Sequence, residues 1–242
     1  MSKTRHSAFV GAALSLAMLL PAVASASDER VIERTIPAAK VRELAVKGHV
    51  GKIEVSTTAG DNVVLRLRLK AKEHGGWLFS RRRGDPDRAE LRHDTRGETL
   101  AFDIRYDGDR DGIEEEWDFR VPARLAARLH LSVGDIDVRG LSGGLELKVN
   151  VGDIRADIPE GSVTADVNVG DIRIVTASRS LDRARLEANV GGTRIEGADS
   201  GVVRRSRRYG PGDSASFDGN GRDRIRLEVN VGEASLRIRP VG

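Results

Sequence analysis

Acidic side chains recur at equal intervals in the second half of the chain. Asp135, Asp153 and Asp171 stand 18 residues apart. If the units that carry them stack, their carboxylates form a column that could bind a cation such as calcium, but calcium takes six or more oxygen ligands. Arg155 and Arg173 follow two residues after an aspartate, on the same side of an extended strand. We therefore predict a surface comb of ion pairs, with no metal and no cofactor.

Two clusters of arginine beside aromatic side chains could bind anions. They are Arg81, Arg82 and Arg83 near Trp77 and Phe79, and Arg204, Arg205, Arg207 and Arg208 near Tyr209. Guanidinium groups suit phosphates and carboxylates. The predicted partner is an anionic envelope component, such as lipid head groups, lipopolysaccharide or polysaccharide, or an envelope protein. The alternative is that both clusters are solvated loops.

The sequence offers few parts for catalysis. None of the four histidines after residue 26 stands in a His-Glu-x-x-His pair or beside a Gly-x-Ser-x-Gly elbow. The acids at 114–118 are dense, and we interpret them as keeping an edge strand soluble. No catalytic residue is predicted. The alternative is a polysaccharide lyase or hydrolase on a β-helix that acts on an acidic glycan through paired carboxylates.

A six-residue phrase, Val-Asn-Val-Gly-Asp-Ile, occurs at 149–154 and again at 167–172. With the weaker copies, its glycines are Gly134, Gly152, Gly170, Gly191 and Gly232. The intervals between them are 18, 18, 21 and 41 residues, the last close to two units. A fixed period of this length predicts a repeat architecture.

Apolar and polar residues alternate within each unit, which predicts strands with one buried face. Val149 and Val151 are predicted to point inward, as is Val169 in the next unit. The phase changes after each glycine, which indicates a corner or bulge there. Because so short a unit cannot bury its own apolar face, we predict a single-stranded β-solenoid (β-helix) of stacked 18–21-residue repeats. An antiparallel β meander or sandwich is the alternative, since alternation does not reveal which strands pair.

Most units also carry an asparagine two residues before the glycine. These residues are Asn150, Asn168, Asn189 and Asn230. Stacking would bring them together, so we predict a ladder of side-chain amides or hydrogen bonds to the corner backbone.

The first residues are typical of a secretory signal peptide. Lys3 and Arg5 precede an apolar run at 9–20, and Ala24-Ser25-Ala26 is a small-x-small cleavage site. We predict a signal peptide over 1–26, cleaved near Ala26, and a mature protein that is periplasmic, secreted or on the cell surface. The formal net charge is +3, and loss of Lys3 and Arg5 would lower it by two, so no nucleic-acid partner is predicted. There is no cysteine for a disulfide framework, and no transmembrane segment is predicted in the mature chain.

The remaining residues, 27–242, are predicted to form one β-solenoid domain. It would comprise irregular strands at 27–124, regular repeats at 125–199, a flexible basic insertion at 200–223 and a final repeat at 224–242. The insertion is predicted because the apolar rhythm stops there in a stretch rich in Gly, Ser and Arg.

The order of these motifs resembles the bacterial putative-adhesin family of envelope proteins, whose repeat, a domain of unknown function, is sometimes called the toastrack domain. The residues that carry the resemblance are Glu33-Arg34-Thr35-Ile36, the segment 48–53, Phe119-Arg120-Val121-Pro122 and the iterated Val-Gly-Asp-Ile. The resemblance covers nearly the whole mature chain. It implies a β-helix in the cell envelope without established enzymatic activity. We therefore expect a non-enzymatic exported protein that is an adhesin-like, envelope-interaction or structural module.

Overall fold

The structure, a computed structural model, describes residues 28–72, 84–108, 110–197, 202–207 and 211–240. The predicted signal peptide lies outside these residues. The described chain is all-β, which confirms the predicted class, and its helical parts are the short 3-10 helices Pro86–Arg88 and Ser178–Ser180. No helix in these ranges is long and apolar enough to cross a membrane. The strands are β1 (Glu29–Pro37), β2 (Glu43–Thr58), β3 (Asn62–Ala71), β4 (Ala89–Arg96), β5 (Thr99–Tyr106), β6 (Ile113–Pro122), β7 (Ala126–Arg139), β8 (Leu145–Val151), β9 (Ile154–Asp157), β10 (Val163–Val169), β11 (Ile172–Ala177), β12 (Leu181–Glu196), β13 (Val202–Arg207), β14 (Asp213–Asp218) and β15 (Asp223–Arg239).

Six strands in the middle of the sheet close into a ring of parallel pairs. β7 pairs with β8, β8 with β10, and β10 with β15. β15 then pairs with β11, β11 with β9, and β9 with β7 again. β7 and β15 belong to both sides of the ring because each is long enough to pair with one strand before its glycine and with another after it. The result is a closed barrel of six parallel strands.

The predicted β-solenoid of stacked repeats is wrong. Sequential stacking would place β12 directly beside β10 and β11, but β15 lies there and pairs in parallel with all three. The antiparallel meander or sandwich is wrong as well, because every pair in the ring is parallel. Alternation indicates which side chains face inward within a regular strand, but neither alternation nor a fixed period determines which distant strand becomes the neighbour.

Further strands flank the ring at both ends. β2 lies beside β7, and its two halves pair with β5 and β6. β5 pairs with β4, while β6 pairs with β3, and β3 pairs with β1. At the other end, β12 pairs with β14 and β14 with β13. Since β6 has a strand on each side, the interpretation of its acids at 114–118 as protecting an edge strand is wrong.

The core is one continuous apolar cluster that runs through the sheet. Inward positions alternate along each strand, as Leu65, Leu67 and Leu69 do on β3. The largest buried side chains are Trp117, Phe102, Phe119 and Phe217. Each buried aliphatic side chain contributes about 1.5–3 kcal/mol, far more than an exposed ion pair, so burial stabilises the fold.

Part of the segment predicted to be a flexible insertion belongs to this sheet. β13 and β14 both lie within 200–223, and Phe217 of β14 is buried in the core. Asp223, where β15 begins, is buried and accepts a 2.8 Å hydrogen bond from the backbone N of Gly161. Removal of the whole segment 200–223 would therefore remove the buried Phe217 side chain and the hydrogen bond that Asp223 accepts.

Candidate functional site

Six glycines stack on neighbouring strands and form a glycine ladder. In spatial order they are Gly51, Gly134, Gly152, Gly170, Gly232 and Gly191. All six have a positive φ, which at Gly152 is 134°. A Cβ on Gly152 would lie 2.0 Å from the carbonyl oxygen of Gly134. Both the dihedral angle and the close approach of the next strand therefore require glycine.

The residue before each of these glycines is a half-exposed valine. The valine row consists of Val50, Val133, Val151, Val169, Val231 and Val190, whose exposed fractions lie between 41% and 45%. The prediction that Val151 and Val169 face the core is wrong. Val149 is buried, but Asn150 and Val151 both face outward, because the corner interrupts the alternation before the glycine. With strands about 4.8 Å apart, the row is about 24 Å long.

An asparagine ladder runs beside the valine row. Asn168 Nδ2 donates to Asn150 Oδ1 at 3.3 Å, and Asn230 Nδ2 donates to Asn168 Oδ1 at 3.0 Å. Asn189 Nδ2 donates to Asn230 Oδ1 at 3.1 Å. The ladder follows the spatial order of the strands, so Asn230 lies between Asn168 and Asn189.

Aspartates and arginines follow the glycines on the other side of the corner. Arg155 Nη2 lies 2.6 Å from Asp153 Oδ2, and Arg173 Nη2 lies 2.7 Å from Asp171 Oδ2. The other carboxylate oxygen accepts a hydrogen bond from the backbone of the next strand. Oδ1 of Asp135 accepts one from the backbone N of Asp153 at 3.1 Å, and Oδ1 of Asp153 accepts one from the backbone N of Asp171 at 3.0 Å. These contacts neutralise the carboxylates and satisfy the corner backbone.

A buried carboxylate lies at one end of the glycine ladder. Glu115 on β6 is in register with Gly51, and the residue is 1% exposed. Its Oε2 accepts hydrogen bonds from the backbone N of His49 at 3.0 Å and from Nε1 of Trp117 at 2.9 Å. Its Oε1 accepts one from Oη of Tyr106 at 2.7 Å and lies 3.0 Å from Nδ1 of His49. We call these four residues the Glu115 cluster.

The hydrogen bonds keep this carboxylate ionised. Burial raises the pKa of Glu115, but the bonds from His49, Tyr106 and Trp117 together outweigh it, so the pKa lies below its ordinary value. Burial and then the nearby Glu115 charge raise the pKa of Tyr106. The phenol therefore stays protonated and donates.

A cleft of about 440 Å³ opens beside the cluster. It is lined by His49, Tyr106 and Ser132 and by the cations Lys72 and Arg110, among others. A carboxylate at Nδ1 orients a histidine to act as a base through Nε2. Within the described residues, however, the His49 ring contacts Glu115 and, edge-on, Tyr106, and no serine hydroxyl is hydrogen-bonded to it. In the part of the chain that the structure describes, the cluster thus orients its aromatic side chains and activates no nucleophile.

Comparisons with known proteins concern the fold. No family model and no curated protein matches the chain. A solved structure of a putative cell adhesion protein from Clostridium sporogenes matches with a TM-score of 0.51 and 14% identity, over 88% of this chain and 100% of that one. A putative adhesin from Bacteroides fragilis matches with a TM-score of 0.35 and 16% identity, over 86% and 97%. A putative lipid binding protein from Parabacteroides distasonis matches with a TM-score of 0.26 and 11% identity, over 88% and 97%.

The chain shares its fold with a putative adhesion protein. The Clostridium sporogenes structure carries this conclusion, because its TM-score exceeds 0.5. It confirms, at the level of the fold, the resemblance to putative adhesins predicted from the sequence. An identity of 14% says nothing about activity or ligand.

Part of the predicted arginine clusters lies within the described residues. Arg204 and Arg205 are exposed on β13, and Arg207 belongs to the same strand. Arg204 Nη1 lies 3.1 Å from Asp218 Oδ2, so one of these cations is already paired. Arg208 and the cluster at 81–83 lie outside the described residues.

Sequence reasoning missed the Glu115 cluster. Glu115 shares its parity with Ile113, Trp117 and Phe119 on an alternating strand, and that parity was the available signal for an inward carboxylate. His49 and Tyr106 come from β2 and β5. They meet Glu115 only because β2 pairs with both β5 and β6.

Proposed function

We propose that this protein is a non-enzymatic, exported envelope protein that binds an anionic polymer of the cell envelope, as an adhesin-like module. The observation that supports an interaction surface is the valine row. Single exposed apolar residues are normal on a protein surface, whereas a contiguous apolar patch marks an interaction site. Six half-exposed valines in one line are such a patch.

The surroundings of the valine row favour an extended partner. The asparagine ladder follows the row on one side and offers amide hydrogen bonds at each step. Below the row, the glycine ladder packs backbone against backbone. A rigid surface loses little conformational entropy when it binds, which favours attachment to a regular polymer over a small compact ligand.

Binding without turnover fits the chemistry of the described residues better than the alternative of a lyase or hydrolase. The buried acid, Glu115, is ionised and accepts bonds from three side chains and a backbone N–H. It has no proton to give a leaving group, as a glycosidase acid must. The aspartates of the corner are bound to arginine.

The test of this function is retention without product. The purified mature chain is incubated with envelope fractions and with a panel of acidic and neutral glycans. We expect retention by an acidic polymer, with no new reducing ends and no unsaturated uronate absorbance. Release of such products would establish the lyase or hydrolase, and failure to bind any envelope fraction or glycan would overturn the proposal.

Export rests on the predicted signal peptide over 1–26. We expect the full-length chain, expressed in a Gram-negative host, to appear outside the cytoplasm with an intact mass that lacks the first 26 residues. An unprocessed cytoplasmic product would contradict this part of the proposal.

A further inference from the structure

A basic patch lies across three neighbouring strands on the outward face. Lys47 on β2 is in register with His130 on β7, and His130 is in register with Lys148 on β8. With strands about 4.8 Å apart, the three side chains span about 10 Å. His49 stands two residues after Lys47, but its ring contacts Glu115 and belongs to the Glu115 cluster beside the cleft.

The lysines of this patch are not neutralised within the described residues, where neither forms an ion pair. In the adjacent row on the same face, by contrast, the cation Arg128 is paired with carboxylates. Arg128 Nη2 lies 2.9 Å from Glu43 and its Nε lies 3.0 Å from Glu146. Arg128 therefore occupies Glu43 and Glu146. The carboxylates nearest the patch lysines are Asp103, in register with Lys47, and Asp166, in register with Lys148. Neither forms an ion pair with its lysine in the described residues, so both ammonium groups can meet a ligand.

Polar groups complete the surface around the patch. Ser132 on β7 and Asn150 on β8 are the outward residues beyond His130 and Lys148. They add a hydroxyl and an amide one step along each strand. An oxyanion at the patch would meet charged and neutral donors together, which is the pattern that binds phosphate and carboxylate groups.

The same cross-strand row is acidic on both sides of the patch, because Asp103 on β5 is in register with Lys47. Lys148 is in register with Asp166, which is in register with Glu228 and then Glu187. An anionic membrane plane would touch the whole face and meet these carboxylates. A glycan chain can place one charged group on the patch and neutral sugars elsewhere, so the charge pattern favours a glycan.

We propose that Lys47, His130 and Lys148 bind the phosphate or carboxylate groups of an anionic envelope glycan. This inference rests on the proposed function, and it assigns the ligand class and the site. It moves the anion site away from the arginine clusters to the face that carries the valine row.

Binding is coupled to protonation of His130. Burial lowers the pKa of His130, and the charges of Lys148, Lys47 and His49 lower it further, so the ring of the free protein is neutral at neutral pH. The groups that face it are Lys47 and His49 from β2, Lys148 and Glu146 from β8, and Arg128 from its own strand. A bound anion favours the charged ring, so the ligand and a proton bind together and affinity rises as the pH falls.

The decisive experiment compares two double variants with equal charge loss. Lys47→Gln/Lys148→Gln removes the patch lysines, while Lys40→Gln/Arg179→Gln removes two exposed cations elsewhere. Dissociation constants are measured by biolayer interferometry with polygalacturonate, a phosphorylated mannan and neutral dextran. We expect at least tenfold weaker binding for the patch variant, less than twofold change for the control, and a smaller salt dependence for the patch variant. The anionic polymer that the parent binds more tightly shows whether the site prefers phosphate or carboxylate groups.

The outcomes distinguish an error in the assigned site from an error in the proposed function. If the parent binds an acidic glycan and the patch variant binds it equally well, the assigned site is wrong while the proposed function stands. If the parent binds no glycan or envelope fraction, the proposed function fails. Binding to anionic vesicles but to no glycan overturns the ligand class.

A second variant tests the coupling to pH. For polygalacturonate we expect the dissociation constant of the parent to be severalfold lower at pH 5.5 than at pH 7.5. For His130→Gln we expect the ratio of the two dissociation constants to be close to one. The same ratio in both proteins overturns the role of His130. Melting temperatures of all variants verify that they are folded.

Discussion

Backbone contact between strands leaves no room for a side chain at Gly152. The added Cβ would lie 2.0 Å from the Gly134 oxygen at a φ of 134°. We therefore predict that Gly152→Val lowers the free energy of unfolding by more than about 1 kcal/mol, from strain and displacement of the neighbouring strand. Urea denaturation measures the change. Gly60 has open space around it, so Gly60→Val is the control, and equal losses in both variants would contradict the ladder.

The ionised state of Glu115 makes a pH-dependent contribution to stability. Its folded pKa lies below its ordinary value. The contribution is therefore fully present above about pH 4.5, the unfolded pKa, and is lost as the pH falls through the folded pKa. We predict that Glu115→Gln destabilises the protein at pH 7 by about 1.5–3 kcal/mol, since bonds to a charged group are lost. The difference from the parent should shrink at pH 3.5.

Urea unfolding at the two pH values tests this prediction. Glu114→Gln is a suitable control, because Glu114 is half-buried and its Oε2 pairs with Lys72 Nζ at 2.8 Å. We expect a loss below about 1 kcal/mol there. A Glu115→Gln variant that unfolds like the parent at pH 7 would show that the cluster does not stabilise the fold.

At the scale of a strand, inward and outward positions change places at each corner. On β10, Val167 is buried and Val169 is 42% exposed. We predict that Val167→Asp destabilises the protein by about 3 kcal/mol or more, because an unpaired charge enters the core. Val169→Asp should change stability by about 0.5 kcal/mol, as a surface substitution does. Thermal unfolding monitored by circular dichroism measures the stability of both variants. A larger loss for Val169→Asp than for Val167→Asp would restore the inward assignment of Val169.

At the scale of the whole molecule, the order of strands in space differs from their order in the chain. The sheet places β15 between β10 and β12. Val231 is therefore next to both Val169 and Val190. Sequential stacking would instead place Val169 beside Val190.

Engineered disulfides distinguish the two orders, because the chain has no cysteine of its own. A disulfide needs Cα atoms about 4.4–6.8 Å apart, which fits neighbouring strands and excludes a separation of two strands. We predict that Val169→Cys/Val231→Cys and Val190→Cys/Val231→Cys cross-link on mild oxidation. Val169→Cys/Val190→Cys should stay reduced within one molecule. Non-reducing electrophoresis and peptide mass mapping give the answer, and the opposite pattern would support a sequential coil.

The sequence by itself determined the features that depend on residues close together in the chain. Alternation in Leu145, Leu147 and Val149 identified strands and their inward side chains, because successive side chains of a regular strand point to opposite faces. At Val151 the corner interrupts this alternation, and parity predicted the wrong face. The recurring glycines located the corners, since few other residues adopt their backbone conformation. The family resemblance, carried by the same local motifs, indicated a fold shared with a putative adhesion protein, although the β-helix that it implied is wrong.

Only the tertiary structure decided how those strands pair. The units at Gly170, Gly191 and Gly232 share Asn-Val-Gly, so this local sequence does not identify the middle one, and the structure places Gly232 there. Pairing also decided the candidate sites. Glu115 meets His49 across strands distant in sequence, and Lys47, His130 and Lys148 form one patch only because β2, β7 and β8 are neighbours. Such contacts are non-local, and no periodicity within a segment encodes them.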